Sequence, residues 1–411
     1  MHVQLWSYNY DPEPSGIGPL SGTISRALAA RGHEVEIVSA HPHYPEPRWG
    51  RRLLPYREDR DGLRVLRLPI WVGRATAAQR IRQEASYSLA LAAVAPALRT
   101  PDVVVAVSPS FPALMPAMLN ARARRVPWVL WLQDILPAGA TATGILTEGR
   151  LIRLARRLEH AAYRSAAHIV VISDSFAESL RRKGVPAQKV TRIHNPATCR
   201  VLEDPRPEDA GDGVTALTMG NIGHTQNLVE LTRAFESSPE LARLGARFVM
   251  AGEGVAGDEV RAAITTDRVR VTGVLDHREL ESELERAAVA VVSQRYEGTD
   301  FNVPSKLMNF MARGLPVVAA VRPDSEVARI VRASNGGWVT ERGDPRNFAA
   351  LVAAALQDPR DRFRRGQAAL RFAREHFTAA RLASQFEEVL LSVARKPPSA
   401  AGAGTPHEET R

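Results

Sequence analysis

The segment Asp300-Phe301-Asn302-Val303-Pro304-Ser305-Lys306-Leu307, closed by Gly314-Leu315-Pro316, carries the residue types best suited to chemistry. Pro304 stops the loop before it, and Ser305 is expected to cap a helix beginning at Lys306. A helix N-terminus offers unpaired N–H groups and the positive end of its dipole. A lysine ammonium beside it would make a seat for an anionic diphosphate. The same residues also describe a capped helix whose lysine faces solvent.

Two glycine-bearing turns have a related chemistry. Gly16-Ile17-Gly18 follows the apolar run Val3–Tyr8, and Gly220-Asn221-Ile222-Gly223 follows Val214–Met219. Each stands between a strand-like and a helix-like segment, where glycine lets a phosphate approach the backbone or merely permits a tight turn. In the second turn, Thr225 is a candidate helix cap, and His224 and Gln226 are candidate partners for phosphate or sugar. Asp134, at the end of Trp128–Leu132, either accepts a hydrogen bond from a sugar hydroxyl or caps its own turn.

Other chemistries lack their residues. No G-x-x-x-x-G-K-[ST] occurs, and Ser21 stands where a dinucleotide fingerprint needs its third glycine. Neither a G-x-S-x-G elbow nor H-E-x-x-H is present. His41 and His43 alternate, but their context gives no carboxylate or cysteine that completes a metal site. The single cysteine, Cys199, excludes an intramolecular disulfide and reads as a bystander thiol.

The elements that must position these residues alternate strand and helix throughout. Strand-like runs at 3–8, 34–39, 63–68, 103–107, 128–132, 168–172 and 190–193 are separated mostly by helical periodicity. A turn-rich segment at 203–213 with no apolar period reads as a linker. Alternation then resumes, with strands at 214–219, 247–250, 269–272, 289–293, 316–320 and 337–340. The expected organisation is α/β: two facing Rossmann-like domains, 1–202 and 214–360. Helices at 361–395 and a disordered tail at 396–411 complete it.

The 411 residues carry a net charge of +9, unevenly placed. Residues 1–195 hold 26 Lys/Arg against 15 Asp/Glu, a balance of +11. That excess either attracts an anionic surface or reflects solvated helix faces in an arginine-rich protein. Nothing resembles a nucleic-acid-binding signature. Met1-His2-Val3 runs straight into a strand, and the longest apolar stretch, near Leu89–Leu98, is far below the ~20 residues of a membrane span. A cytoplasmic protein, peripheral at most on the inner membrane face, is expected.

The ordered set of these motifs resembles glycosyltransferase family 4, with its two-domain GT-B fold. It is most similar to the branch of colanic-acid, exopolysaccharide and O-antigen sugar transferases. The resemblance runs from Asn9-Tyr10-Asp11-Pro12-Glu13 and Ala30-Arg31-Gly32-His33 through His43-Tyr44-Pro45, Gln133-Asp134-Ile135-Leu136-Pro137 and Lys183-Gly184-Val185. It continues through Gly220-Asn221-Ile222-Gly223, Ala251-Gly252-Glu253-Gly254, Pro304-Ser305-Lys306 and Gly314-Leu315-Pro316. It implies a retaining transfer from a nucleotide-diphosphate sugar, without cofactor or bound metal. The acceptor would be a lipid-linked glycan or a glycosylated small molecule. Terminal helices would cross back to the first domain.

By that resemblance Gly220, Asn221, Gly223, His224, Gln226, Glu253, Ser305, Lys306 and Asn309 bind the donor. Asp134 and Lys306 would be catalytic, and Gly16, Ile17 and Gly18 would form an acceptor or phosphate loop. Two departures stand out. Family members commonly carry two glutamates eight residues apart, and here those positions hold Phe301 and Asn309, with Glu297 four residues early. The Arg and Lys common in the donor turn are replaced by the Asn221–Gln226 sequence, which leaves Lys306 as the leading cation, with His224 second. A catalytically silent sugar-binding protein and a nucleotide-sugar epimerase are the alternative functions.

Overall fold

The computed structural model describes residues 1–13, 16–43, 52–73, 76–108, 111–134, 150–296, 303–341 and 344–394. The first domain is built on β1 (His2–Ser7), β2 (Glu34–Ala40), β3 (Tyr56–Arg60), β4 (Leu63–Leu68), β5 (Val103–Val107), β6 (Trp128–Leu132), β7 (His168–Val171) and β8 (Val190–Arg192). Their spatial order is β3-β4-β2-β1-β5-β6-β7-β8, parallel except for β3. Helices α1 (Ile17–Ala30), α2 (Ala77–Val94), α3 (Phe111–Arg124), α4 (Arg150–Ser165) and α5 (Asp174–Arg182) alternate with the strands. Central strands such as Val103–Val107 and Trp128–Leu132 are buried along their whole length, as a parallel sheet covered on both faces requires.

The second domain carries β9 (Thr215–Met219), α6 (Leu228–Glu236), α7 (Pro239–Arg243), β10 (Arg247–Ala251), α8 (Gly257–Ala262), β11 (Val269–Gly273) and α9 (His277–Arg286). It continues with β12 (Val289–Ser293), α10 (Ser305–Ala312), β13 (Val317–Ala320), α11 (Glu326–Ser334), β14 (Gly337–Val339) and α12 (Pro345–Gln357). Its strand order is β11-β10-β9-β12-β13-β14, all parallel. Helices α13 (Pro359–His376) and α14 (Ala379–Val393) end the described chain. None of the described helices is long and apolar enough to cross a membrane.

Three features differ from sequence expectation. Strand β3 has no apolar run, because an edge strand needs a partner on one side only; its signal is the hairpin turn Asp61-Gly62, with φ of 53° and 77°. Helix α7 is too short to show a period and is set by Ser238, whose hydroxyl accepts from Leu241 N–H. Helix α1 begins at Ile17, directly after Gly16, so the first glycine turn is itself the helix start.

The chain crosses between domains after β8. Ala197 N–H donates to Phe377 O at 2.9 Å, pairing the outgoing segment with the returning one. The chain around 203–213, read as a linker, lies against the second domain. Leu202 N–H bonds Ala312 O, and the Arg206 guanidinium bonds Ala287 O and Glu285 O. Of the two terminal helices, only α14 returns to the first domain, where it packs on α1 and sets Phe386 edge-on to Trp131. Helix α13 stays on the second domain because Gly366 seats it against Gly314, where an added Cβ would stand 2.4 Å from a carbonyl oxygen. The tail 396–411 lies outside the described residues.

Candidate active site

Strand order locates the crevice. In the second domain the chain runs outward from β9 to β10 and β11, then resumes on the other side at β12. The carboxyl ends of β9 and β12 therefore flank a topological switch point, where open α/β sheets bind ligands. The turn 220–226 leaves β9 there, and α10 is the first helix after β12. The turn is tied to the segment after β12, where Arg295 N–H donates to Thr225 O at 2.8 Å, and to α10, where Lys306 Nζ donates to Gln226 Oε1 at 2.8 Å.

Lys306 is 7% exposed, and its ammonium also meets Thr218 Oγ1, at 3.4 Å. Both partners are neutral. Burial pushes the Lys306 pKa down to about 7, because desolvation disfavours the charged form. An arriving diphosphate would supply a counter-charge. Helix α10 starts at Ser305, with Pro304 as N-cap and no side-chain cap bond. Ser305 is thus the first helical residue rather than the cap, because Pro304, fixed near φ −66°, already sets the helix entry. The N–H groups of the first turn keep no side-chain partner from a cap, which suits an anion.

The glycine turn is held by a second glycine segment that follows β10. Gly220 N–H bonds Ala251 O at 2.8 Å and Ile222 N–H bonds Glu253 O at 2.9 Å. Gly254 passes Ile222 so closely that a Cβ there would lie 2.3 Å from the Ile222 carbonyl oxygen. Gln226 Nε2 donates to Asn221 O, so one amide bridges the turn and Lys306. Thr225 does not cap α6. Asn227, left-handed at φ 54°, occupies that place after a single 3-10 turn at His224–Gln226.

His224 is exposed, with Nδ1 3.7 Å from Glu259 Oε2. The Glu253 side chain is engaged by Arg261 at the surface. Asn309 faces the crossing segment: its Oδ1 accepts from the N–H of Thr198 at 2.8 Å and of Cys199 at 3.3 Å, and its Nδ2 donates to Thr198 Oγ1 at 3.0 Å. Asn309→Ala should therefore destabilise the protein by about 1–3 kcal/mol in urea unfolding, while Asn309→Asp keeps the acceptor and most of the stability. Equal loss in both variants would remove the clamp. Cys199 is half-buried, and burial raises its thiol to about 11, which keeps it protonated and unreactive.

In the first domain the switch point lies between β1 and β5. Gly16, at φ 70°, leads into α1 there, Ile17 is half-buried, and Gly18 approaches Glu13 O. Asp134 is half-buried past β6, and its carbonyl accepts from Ser108 Oγ at 3.2 Å. Sequence alone did not point to a carboxylate partner for His43. The fold supplies Glu13, 2% exposed, whose Oε1 accepts from His43 N–H at 2.8 Å and lies 3.1 Å from His43 Nδ1. Glu13 Oε2 accepts from Asn9 Nδ2 at 2.6 Å. This buried cluster staples the β1 loop to the β2 loop. It was missed because its members are 30 residues apart and adjacent only through the parallel β1–β2 pairing.

Two carboxylate groups could be mistaken for metal centres. His2, Glu34 and Glu36 converge at the amino end of β1 and β2, but Arg64 and Arg99 bind Glu34. Asp59-Arg60-Asp61 has metal-like spacing, yet Asp59 caps Gly62 N–H in the hairpin and Asp61 pairs with Arg26. Glu297 and Phe301, like Pro137 and Tyr44, lie outside the described residues.

The two domains meet at their carboxyl edges. Arg329 on α11, the helix that follows β13, donates to Ser175 Oγ at the start of α5, after β7, at 2.7 Å. The two switch points thus open toward a shared cleft. Residues 15–196 match the Glycosyl transferase 4-like domain, and residues 213–358 match Glycosyl transferases group 1. The chain is 25% identical over 383 residues to the putative colanic acid biosynthesis glycosyl transferase WcaI of Escherichia coli (strain K12), covering 87% of this chain and 92% of that one. Sucrose-phosphate synthase from Thermosynechococcus elongatus superposes with a TM-score of 0.73 at 17% identity, over 95% and 98% of the chains. Anabaena Alr3699/HepE, solved in complex with UDP, superposes with a TM-score of 0.65 at 15% identity, over 95% and 100%. The sequence motifs, the paired switch points and these matches agree: the chain is a glycosyltransferase of family 4 with the GT-B fold.

Proposed function

We propose that this enzyme moves a sugar, with retention of anomeric configuration, from a nucleoside-diphosphate donor to a lipid-linked glycan intermediate at the inner face of the membrane. The observation that carries the donor class is Lys306, a buried ammonium whose partners among the described residues are neutral, beside an uncapped helix start at the switch point. HepE, of the same fold, binds UDP, and WcaI is described as acting in colanic acid biosynthesis. In the transfer, the bond between the anomeric carbon and the diphosphate oxygen breaks, and the leaving group takes the electron pair. Lys306 and the α10 N–H groups stabilise that charge. The acceptor hydroxyl forms the new bond on the same face and loses its proton to the departing diphosphate. Asp134 and the Gly16–Gly18 loop orient the acceptor from the first domain. A small glycosylated acceptor is the second reading, and it leaves the donor site unchanged.

The test is donor turnover with and without acceptor, in buffer and in chelator. Acceptor-dependent release of nucleoside diphosphate, unchanged by chelator, is the expected result. Activity lost in chelator and restored by manganese or magnesium would overturn metal-independent leaving-group stabilisation.

A further inference from the structure

Apolar exposure is concentrated in one stretch of the first domain's chain. Among the described residues, ten large apolar side chains are exposed, and seven of them lie between residues 53 and 119. Helix α2 buries Gln83, Tyr87 and Leu91 at four-residue spacing and turns Ile81 and Leu89 outward, the latter 72% exposed. The adjacent α3 buries Leu114, Ala117 and Asn120 and turns Met115 and Leu119 outward, the latter 60% exposed. Trp71, just before α2, is 62% exposed, with the Arg82 guanidinium 5.6 Å over its ring. An isolated exposed leucine needs no explanation, but outward apolar stripes on two helices packed together do.

The charge around these stripes is mostly positive. Helix α4, packed on α3, exposes Arg153, Arg156 and Arg157, and α3 exposes Arg122. The only carboxylates on α2, α3 and α4 are Glu84, half-buried, and Glu159, buried and bound by Lys183. A second copy of the chain would bring the same positive charge to a symmetric contact, which opposes pairing. An anionic bilayer surface answers both features: acyl chains take the apolar stripes, and lipid phosphates take the arginines. Position agrees as well. Helices α2 and α3 follow β4 and β5, so their N-terminal ends stand at the carboxyl edge of the sheet, on the cleft side.

Resting on the lipid-linked acceptor proposed above, we propose that the outward faces of α2 and α3, flanked by the arginines of α4, are the surface that docks this enzyme on an anionic membrane. Docking there sets the cleft rim against the bilayer, where a lipid-linked acceptor emerges.

The experiment is co-sedimentation of the full chain with phosphatidylglycerol-containing and pure phosphatidylcholine vesicles, at low and high salt. The wild type is expected to sediment with the anionic vesicles and to be released by salt only in part, because the apolar component is not screened. The double variant Leu89→Glu/Leu119→Glu should bind about tenfold more weakly or worse. Val274→Glu, at an exposed position in the second domain, should bind as the wild type. Circular dichroism and donor turnover without vesicles, both unchanged in the double variant, exclude misfolding. Failure of the wild type to sediment, or equal sedimentation of the double variant, overturns the docking surface. A concentration-dependent doubling of mass abolished by the double variant overturns it in favour of a dimer. Turnover with a soluble glycan but no vesicle binding removes the surface and spares the transfer; vesicle binding without turnover does the reverse.

Discussion

Lys306→Ala will weaken nucleoside-diphosphate binding by roughly 1.5–3 kcal/mol, the range for a hydrogen bond to a charged group. The ammonium is buried against Gln226 and Thr218, and among the described residues no carboxylate is bonded to it, so its free energy improves most when an anion arrives. The same burial fixes the sign of the pH dependence. In the free enzyme Lys306 titrates near 7, below the ordinary lysine value of 10.5. Between those values the unfolded chain holds a proton that the folded chain has released. Folding stability from this group therefore rises with pH across that window. Binding runs the opposite way. A diphosphate favours the ammonium, so affinity falls as pH climbs above about 7, by at most about tenfold per unit. Calorimetry with UDP at neutral and alkaline pH checks both points. Lys306→Arg, which stays charged, should flatten the profile. A wild-type affinity that does not change with pH, or an alanine variant that binds normally, would remove Lys306 from the site.

Gly252→Ala is expected to disable the donor site and to lower stability by about 1–3 kcal/mol, the usual cost of overpacking. The added Cβ would stand 1.9 Å from the Gly220 carbonyl oxygen, and the obstacle is backbone, which no rotamer change can relieve. The strain must push the turn at Gly220 away from the chain after β10, breaking the bond from Gly220 N–H to Ala251 O. Gln226 and its contact with Lys306 would move with that turn. Thermal melting should show a lower transition and no upward shift on adding UDP, whereas the wild type shifts upward as a ligand-bound native state must. A folded Gly252→Ala enzyme with normal UDP stabilisation would show that the turn has no part in the site.

The alternation of buried β runs with amphipathic helices was legible throughout, because strand and helix periods are local properties of the chain. So were the two glycine turns, the helix that begins near Lys306 and the excess of arginine in the first domain. Elements without a period escaped: β3 is an edge strand of polar residues, and α7 is a single short turn of helix. Cap assignments at Ser305 and Thr225 failed for a related reason. Hydroxyl residues near a helix start are common, and backbone geometry at Pro304 and Asn227 decided where each helix began.

Residue types and spacing by themselves determined which chemistry this protein can hold: a lysine at a helix start, glycine turns after strands, and no thiol pair. Tertiary structure decided which of those groups meet. It placed Gln226 against Lys306 across 80 residues, turned Asn309 toward the crossing segment, and brought Glu13 to His43. It also left the apolar stripes of α2 and α3 uncovered. These outcomes rest on strand order and on what packs against each surface. Parallel pairing joins residues far apart in the chain, so no local pattern encodes them.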